Sequence, residues 1–480
     1  MKNDIEKDIL PQDHADSVFD PDPHREDPLL HEGSSPQKYK FSEKISDWHN
    51  QEAFWKDVSH VVVEKAERKT KSASGYLLSF LKWIIIAGIV GLFSGGVGTL
   101  FQVSVFYSTQ FRLSHDKIIL LLPFGGLLIV ALYHLAGIRM SYGTNELINA
   151  VHTGKKITVL LAPLIFLGTV ITHLMGGSAG RESAALQLGG CLGVRIGRFL
   201  RLNPDDMRLM VLCGMSGVFT ALFGTPVTST FFSMEIASVG VMYYPCFVPC
   251  LISSLVSYTF ALRCGAVPTR FVLENIPILN EISVFQVVCI AIITALISIL
   301  FCVSITRIPE KVGKICKNEY WRVFIGGTLI VLFTFMIGTR DYNGMGSAVI
   351  RSALHGSVSG DAFIWKFLFT MLTFAAGFKG GAIVPAFFIG SALGAASGSL
   401  IGLDPGFSAA VGLVAMFCSA VNCPAAALVL SVELFGSQAL VLFSVACGVS
   451  YMLSGYYSLF TSQNILYSKL KAEFINIHAK

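Results

Sequence analysis

A repeated pattern of glycines limits this chain to a fold built from two related halves. Five glycines recur in the same order at a constant spacing of 201 residues. They are Gly143, Gly176, Gly180, Gly189 and Gly193, matched by Gly344, Gly377, Gly381, Gly390 and Gly394. Further along, Pro226 and Glu235 are matched by Pro424 and Glu433 at a spacing of 198 residues. Matches in one order at three places indicate an internal repeat, with halves at about 77–300 and 310–460.

The segments between these glycines are apolar enough to lie in a membrane. With 53% hydrophobic and 14% charged residues, the composition excludes a soluble globular protein. Apolar stretches lie at about 77–108, 117–137, 157–175, 182–200, 205–223, 226–241, 244–263, 282–306, 322–338, 362–377, 383–402, 406–421, 425–435 and 438–457. Several are shorter than the ~20 residues that a full span needs, which indicates broken or re-entrant helices around a protected site. We therefore predict an all-α polytopic membrane protein, made of two inverted repeats of broken and tilted helices.

Charge is concentrated at the amino-terminal end. Residues 1–75 hold 16 of the 31 acids and 11 of the 36 bases, which predicts a polar, largely disordered arm with a weak amphipathic helix from Ile45 to Lys71. Residues 76–469 form the predicted membrane domain, and 470–480 a tail. Basic clusters before the first span, between about 306 and 322 and at the end of the chain predict that both termini are cytoplasmic. We expect a multi-pass protein of the plasma or inner membrane, without a cleaved signal peptide.

Residues 176–190 place two charges between apolar segments. The glycines end one helix, and Glu182 opens the next, directly after Arg181. A helix that begins inside a membrane points free N–H groups and a partial positive charge at whatever lies ahead, so this stretch predicts an anion site. Burial favours the protonated form of Glu182, whereas the helix terminus and Arg181 favour its charge. A carboxylate balanced in this way predicts a gate that takes up and releases a proton.

The remaining polar residues predict no cofactor or metal site. Glu235 and Glu433 are expected to pair with backbone or a basic side chain at helix ends. The histidines lack ligand spacing, and the cysteines stand singly, mostly in apolar runs, as small buried hydrophobic residues do. The bases are scattered rather than gathered on one face, which argues against nucleic acid as a partner.

At these motifs the sequence resembles the CLC family of chloride channels and anion–proton exchangers, from about Tyr76 to Lys469. The segments that carry the resemblance are Gly180-Arg181-Glu182-Ser183-Ala184, Gly381-Ala382-Ile383-Val384-Pro385, the Gly214-to-Pro226 helix pair and Ile465-Leu466-Tyr467-Ser468. The resemblance implies a homodimer with one pore per subunit, in a lipid bilayer, and it implies that Glu182 gates the pore. It also implies anion-binding roles for residues of these motifs: Gly180, Arg181, Ser183, Ala184, Gly381, Ala382, Ile383, Val384 and Tyr467.

Some positions depart from the pattern of chloride–proton exchangers. Tyr142, Gly143, Thr144 and Asn145 stand where the pore-serine motif would be, and we assign them to the anion site. Ile236 falls where the inner proton-gate glutamate would be. Gly377-Phe378-Lys379-Gly380-Gly381 resembles the fluoride–proton antiporter branch, although that branch usually has an acid at the position of Ala382.

Several functions remain open from the sequence. We favour a proton-coupled halide antiporter, with fluoride ahead of chloride, because the missing serine and the missing inner glutamate argue against the usual chloride–proton pathway. A passive, voltage-gated chloride channel is the alternative, and an anion-gated scaffold whose arm binds partners is a third possibility. An intramembrane serine protease is a distant one, because Ser216 resembles a nucleophile but only His355 and His478 follow it as candidate bases.

Overall fold

The computed structural model describes residues 51–153, 157–471 and 473–480. The disordered arm predicted for residues 1–45 lies outside this part of the chain. The chain divides into two compact units, Met1–Gly75 and Tyr76–Lys480. Of the helix predicted from Ile45, the described portion is helical from Gln51.

Each half contains eight α-helices within the described residues, and the second half begins with the helix at Glu281, earlier than the boundary predicted at about 300–310. The first half comprises α1 (Gln51–Ser114), α2 (Leu122–Leu135), α3 (Thr144–Thr153), α4 (Leu161–Met175), α5 (Glu182–Phe199), α6 (Pro204–Phe223), α7 (Pro226–Glu235) and α8 (Phe247–Arg263). The second comprises α9 (Glu281–Ile315), α10 (Glu319–Ile337), α11 (Ser347–Leu354), α12 (Ala362–Ala376), α13 (Ile383–Leu400), α14 (Pro405–Val421), α15 (Pro424–Phe435) and α16 (Leu440–Leu453). Short 3-10 helices lie at Asp116–Leu121 and Tyr244–Cys246. The predicted apolar stretches thus all contain helices, and the predicted new helix does begin at Glu182.

Length and composition allow seven of the described helical segments to cross a membrane, and five other apolar helices are shorter. The most hydropathic windows of α6 and α13 are 83% buried inside the protein, whereas the other candidate spans bury less than half of theirs. These two helices, one from each half, therefore lie at the centre of the protein. The outer helices carry the apolar surface that a bilayer would cover.

The two halves end and begin their helices in the same way. Helix α4 ends at a left-handed Gly176 (φ 94°) and α12 at a left-handed Gly377 (φ 103°). Glycine adopts this conformation without a Cβ clash, and this explains one pair of the repeat. Proline opens both α6 and α14, and the side chains of Asn203 and Asp404 accept hydrogen bonds from the first-turn N–H groups.

The glycines inside α5 and α13 allow close helix packing. A Cβ at Gly189 or Gly193 would collide with backbone of α6, and one at Gly390 or Gly394 would collide with backbone of α14. The α5–α6 and α13–α14 pairs are the same contact made twice. The repeated glycines in the sequence therefore mark the α5–α6 and α13–α14 interfaces, at which the helix backbones are in contact.

Glu235 and Glu433 join the two halves reciprocally. The Glu433 carboxylate accepts hydrogen bonds from the N–H groups of Val227 (3.0 Å) and Thr228 (2.8 Å) at the start of α7. The Glu235 carboxylate accepts from Ala425 (3.2 Å) and Ala426 (2.9 Å) at the start of α15. The prediction that these acids pair with backbone is confirmed.

Three features differ from the prediction. The short helices α3 and α11 fall outside the apolar stretches, because they are too short and polar to give an apolar run. A small sheet, β1 (Ser238–Val239), β2 (Asn464–Tyr467) and β3 (Phe474–His478), adds strands to a fold predicted as purely helical. Strand β2 pairs parallel to β1 and antiparallel to β3, so part of the predicted tail at 470–480 is a paired strand.

Candidate functional site

Two glycine-rich loops, one from each half, meet directly ahead of helices α5 and α13. The N–H of Gly180 donates to the carbonyl of Gly381 (2.6 Å), and the N–H of Gly381 donates to the carbonyl of Gly180 (2.7 Å). A Cβ at Gly381 would lie 2.8 Å from the backbone nitrogen of Ser183, so this position cannot carry a side chain without a shift. This antiparallel bridge of equivalent residues brings the amino-terminal ends of the two helices together.

Glu182 occupies the space between these helix ends. Its side chain is fully buried, and its Oε2 accepts a hydrogen bond from the backbone N–H of Val384 (3.2 Å), in the first turn of α13. Its Oε1 has no hydrogen-bond partner among the described residues. A protein carboxylate thus takes the position that two helix amino termini favour for an anion. Protonation or displacement of this carboxylate would free the N–H of Val384.

Cavities lie on both sides of Glu182. The arginine-lined cavity has a volume of 790 Å³ and includes Arg181 in its wall. A smaller cavity of 340 Å³ on the same side is lined by Arg181 and Val384. The Tyr142 cavity, of 510 Å³, is lined on the other side by Ser183 and Ala382. Because its sequence neighbours face opposite cavities, Glu182 stands between them.

The Tyr142 cavity collects six of the thirteen predicted anion-binding residues. Its wall contains Tyr142, Gly143, Thr144, Asn145, Ser183 and Ala382. The predicted residues Ala184 and Ile383 are fully buried and line none of these three cavities. Gly180 and Gly381 form the bridge itself. The structure therefore brings together residues that lie more than two hundred positions apart in the sequence.

The hydroxyl of Thr144 is already engaged. It donates to the carbonyl of Ser183 (3.2 Å) and accepts from the amide of Gln187 (3.0 Å). Its proton is therefore not available to an anion in the cavity. Asn145 accepts at Oδ1 from the N–H of Ser462 (3.3 Å), which leaves its amide N–H groups as donors. Thr144 thus holds the loop at 142–145 against α5, whereas the side-chain N–H groups of Asn145 remain available to donate to an anion.

Tyr467 does not lie with the other predicted residues, and the expectation that its hydroxyl lines the pore was wrong. It belongs to strand β2, is 42% exposed, and packs its ring edge-on against Phe474 at 5.5 Å between centroids. The Tyr142 cavity is instead lined by Leu459, Phe460 and Thr461 from the loop after α16. The resemblance at 465–468 led to Tyr467 because that short segment contains a tyrosine, whereas the aromatic residue that this end of the chain contributes to the wall is Phe460.

The sequence analysis gave no role to Lys379, which also lines the Tyr142 cavity. Its Nζ donates to the carbonyl of Met140 and lies 4.5 Å from the centre of the Tyr133 ring. This contact ties the second-half loop to the segment that leads into Tyr142. A lone lysine inside an apolar run was the signal that could have identified it, since such a charge persists where it pairs or lines a cavity.

Other polar residues do not form a catalytic or metal site. In the residues the structure describes, no group of three or more His, Cys, Asp or Glu side chains could hold a metal ion. Ser216 is fully buried, with its hydroxyl 2.5 Å from that of Ser254 and 3.5 Å from the Cys250 carbonyl, and no histidine of the described segments is hydrogen-bonded to it. Nothing about Ser216 supports the protease reading.

Known proteins resemble this chain in sequence over most of its length. The family model described as "Voltage gated chloride channel" matches residues 125–455. A protein of Pseudomonas syringae pv. tomato named "Chloride/fluoride channel protein" is 33% identical over 395 residues, covering 81% of this chain and 87% of that protein. The "H(+)/Cl(-) exchange transporter ClcA" of Vibrio parahaemolyticus is 25% identical, covering 75% and 83% respectively.

Solved structures give the same fold. The crystal structure of a CLC-type fluoride/proton antiporter superposes with a TM-score of 0.77 at 29% identity, covering 80% of this chain and 98% of that one. The structure of a slow cyanobacterial Cl⁻/H⁺ antiporter superposes with a TM-score of 0.68 at 16% identity, covering 78% and 94%. At that lower identity the likeness concerns the fold alone.

Proposed function

This chain belongs to the CLC family of voltage-gated chloride channels and transporters, and from that premise we propose that it exchanges halide anions for protons across a membrane, with Glu182 as the gate. As a CLC protein it is an integral, multi-pass membrane protein and not an enzyme. The observation that carries the proposal is the Glu182 carboxylate between two cavities, bound to the N–H of Val384.

The geometry supports an exchange of the carboxylate for an anion. When Glu182 is charged, it occupies the site and blocks the passage between the cavities. When it takes a proton, its attraction to the helix termini falls and a halide can replace it. The backbone N–H groups of 181–184 and 382–384, with the amide of Asn145, would then hold the anion, because those of Gly180 and Gly381 are already paired with each other's carbonyls. One carboxylate thereby links proton and anion movement.

We favour fluoride over chloride as the transported ion. A relative at 33% identity is named for both ions, and a structure at 29% identity is that of a fluoride/proton antiporter. The Tyr142 cavity offers amide and backbone donors in place of a pore serine, which suits a smaller, more strongly hydrated ion.

A passive chloride channel is the second candidate, favoured by a specific observation. Ile236, at the position of the inner proton-gate glutamate, is fully buried and cannot titrate, and Ala382 lines the Tyr142 cavity where the fluoride branch usually has an acid. A proton that reaches Glu182 from that side must therefore travel without either acid.

We assign transport to residues 76–469, with 1–75 as a cytoplasmic arm and 470–480 as a cytoplasmic tail. Arg322, in the basic segment predicted to be cytoplasmic, lines the Tyr142 cavity, which supports placing that cavity on the cytoplasmic side. The arginine-lined cavity would then face outward. We further propose a homodimer with one pathway per subunit, which rests on the resemblance to the family. Cysteine labelling would test the first point, and cross-linking in liposomes the second.

Purified protein in liposomes tests the function directly. Vesicles loaded with fluoride or chloride are diluted into halide-free buffer, while ion-selective electrodes follow the halide and a pH dye follows protons. Fluoride efflux faster than chloride, with uphill proton movement, is the expected result. Halide efflux without proton movement would favour the channel. Chloride efflux as fast as fluoride would contradict the choice of ion but not halide transport, and no efflux of either would contradict the proposal.

A further inference from the structure

Guanidinium groups dominate the charge of the arginine-lined cavity. Four arginines line it, Arg112 from the last turn of α1, Arg181, Arg340 and Arg351, and Asp341 is the carboxylate in the same wall. Arg340 forms a salt bridge with Asp116. Within the described residues, the other three arginines have no salt-bridge partner. The cavity therefore carries an excess of positive charge.

Arg112 is the least satisfied of these groups. Its side chain is only 6% exposed, its Nε has no partner, and in the described part of the chain it makes no hydrogen bond or salt bridge. Thr99 and Gln102, on the same wall, also have unpaired buried atoms, Oγ1 and Oε1. The Oε1 of Gln102 can only accept and does not help to bind an anion, whereas the Arg112 guanidinium and the Thr99 hydroxyl can donate. Buried polar atoms are normally hydrogen-bonded, so these two donors favour a polar occupant of the cavity. The excess charge indicates that this occupant is an anion rather than water alone.

We propose that the arginine-lined cavity binds a polyatomic oxyanion of the sulfate or phosphate class, at a site separate from the halide position beside Glu182. A guanidinium presents its N–H groups in a planar fork that matches two oxygens of one anion. Arg112 and Arg351 come from different elements and approach the same 790 Å³ space. A single-atom halide cannot meet both forks, whereas a tetrahedral oxyanion offers oxygens in several directions.

The position of the site predicts what binding would do to transport. Arg181 lines this cavity and is the residue directly before Glu182, so an oxyanion held here stands across the access to the gate. We expect it to slow halide passage from this face. The blocking effect rests on the proposed transport function, whereas the binding itself does not.

Calorimetry on detergent-solubilised full-length protein tests the binding without requiring transport. Sodium sulfate is titrated at constant ionic strength, and saturable binding is expected. Arg112→Gln and Arg351→Gln should each weaken it about tenfold or more, since each removes charge-assisted hydrogen bonds. Arg112→Lys keeps the positive charge at the buried position, so it controls for misfolding caused by loss of that charge. Lysine lacks the planar guanidinium, and we therefore expect binding of intermediate strength. Arg195→Gln, at an exposed arginine outside this cavity, is the matched control and should bind like wild type.

Two results of the calorimetry would overturn the proposal. Absence of saturable binding in protein that still moves halide would refute it while leaving the proposed function intact. Equal binding by wild type and both glutamine variants would refute the location. Efflux assays complete the test: sulfate on the arginine-lined face should slow halide efflux several-fold in wild type and in Arg195→Gln, but not in Arg351→Gln.

A second arm distinguishes free oxyanion from a lipid headgroup. The efflux assay is repeated in vesicles of neutral phosphatidylcholine and in vesicles that also contain anionic phosphatidylglycerol. Slowing by sulfate in both compositions assigns the site to a soluble oxyanion. Slow efflux in the anionic vesicles without sulfate, relieved by Arg351→Gln, assigns it to a phosphate headgroup. Both outcomes support an oxyanion site, and loss of slowing under every condition contradicts the block.

Discussion

The carboxylate of Glu182 accepts a hydrogen bond from the backbone N–H of Val384, so a residue of one repeat closes the helix terminus of the other. The two residues lie 202 positions apart and meet because Gly180 and Gly381 pair in front of their helices. The helix terminus attracts the carboxylate when it is charged, whereas burial favours the protonated form, for which that attraction is weaker. The exchange of carboxylate for anion follows from this one contact.

Glu182→Gln should abolish proton coupling while leaving or increasing passive halide flux. Glutamine keeps the shape of the protonated side chain but cannot carry a proton in either direction. Halide-driven proton uptake should fall to the level of empty vesicles, whereas halide efflux continues. Glu146→Gln, at an exposed acid on α3 that lines none of the three cavities, is the matched control. Unchanged proton pumping by Glu182→Gln would show that the gate lies elsewhere.

Glu433→Ala should destabilise the fold without altering proton coupling per halide. The substitution removes the acceptor for the N–H groups of Val227 and Thr228. Thr228 is fully buried, and one unsatisfied buried group costs about 1–3 kcal/mol, whereas Val227 is partly exposed. Glu433→Gln keeps one acceptor oxygen and should lose less stability. Thermal unfolding in detergent measures the order of the variants, with Glu473→Ala as an exposed control. A loss of coupling at wild-type stability would instead make Glu433 part of the proton path.

Gly193→Ala should destabilise the α5–α6 interface, because the added Cβ would collide with backbone of Met210. Forcing extra volume into a packed contact costs about 1–3 kcal/mol. Gly448→Ala, in helix α16 where a Cβ would have no neighbour within 4 Å, is the matched control. It should be neutral or slightly stabilising, because alanine favours a helix by up to about 1 kcal/mol. Equal melting temperatures for the two variants would contradict the role assigned to the repeat glycines.

Much of this fold could be predicted because its determinants are local or repeated. Apolar runs located the long helices, and the spacing of glycines located the two equivalent interfaces. Glu182 was identifiable because it is a charge placed between a glycine run and a helix start. Each of these signals can be read from a few neighbouring residues.

The parts that could not be predicted depend on contacts between distant segments. The Nζ of Lys379 donates a hydrogen bond to the carbonyl of Met140, 239 positions away, and no local sequence pattern predicts that contact. The engagement of Thr144 by Gln187 depends likewise on how α3 packs against α5. Strand β3 is short and pairs with a strand that is itself short, so neither gives a clear alternating pattern. Tyr467 was placed in the cavity because the short segment at 465–468 resembles a family motif, and nothing local in the sequence showed that Phe460 lines the wall instead.

Phe460→Tyr and Tyr467→Phe form a pair of opposite tests of that cavity. Phe460 is 2% exposed and lines the Tyr142 cavity together with Ser183 and Asn145. A hydroxyl added to its ring would therefore be a further donor to an anion in that cavity. One additional donor to an anion contributes about 1.5–3 kcal/mol when it is well placed, so we expect halide affinity to rise about tenfold or more. Tyr467→Phe should leave affinity unchanged, because that side chain lies in β2 against Phe474. Calorimetric titration of chloride and fluoride measures both variants, and weakened binding by Tyr467→Phe would return the pore role to Tyr467.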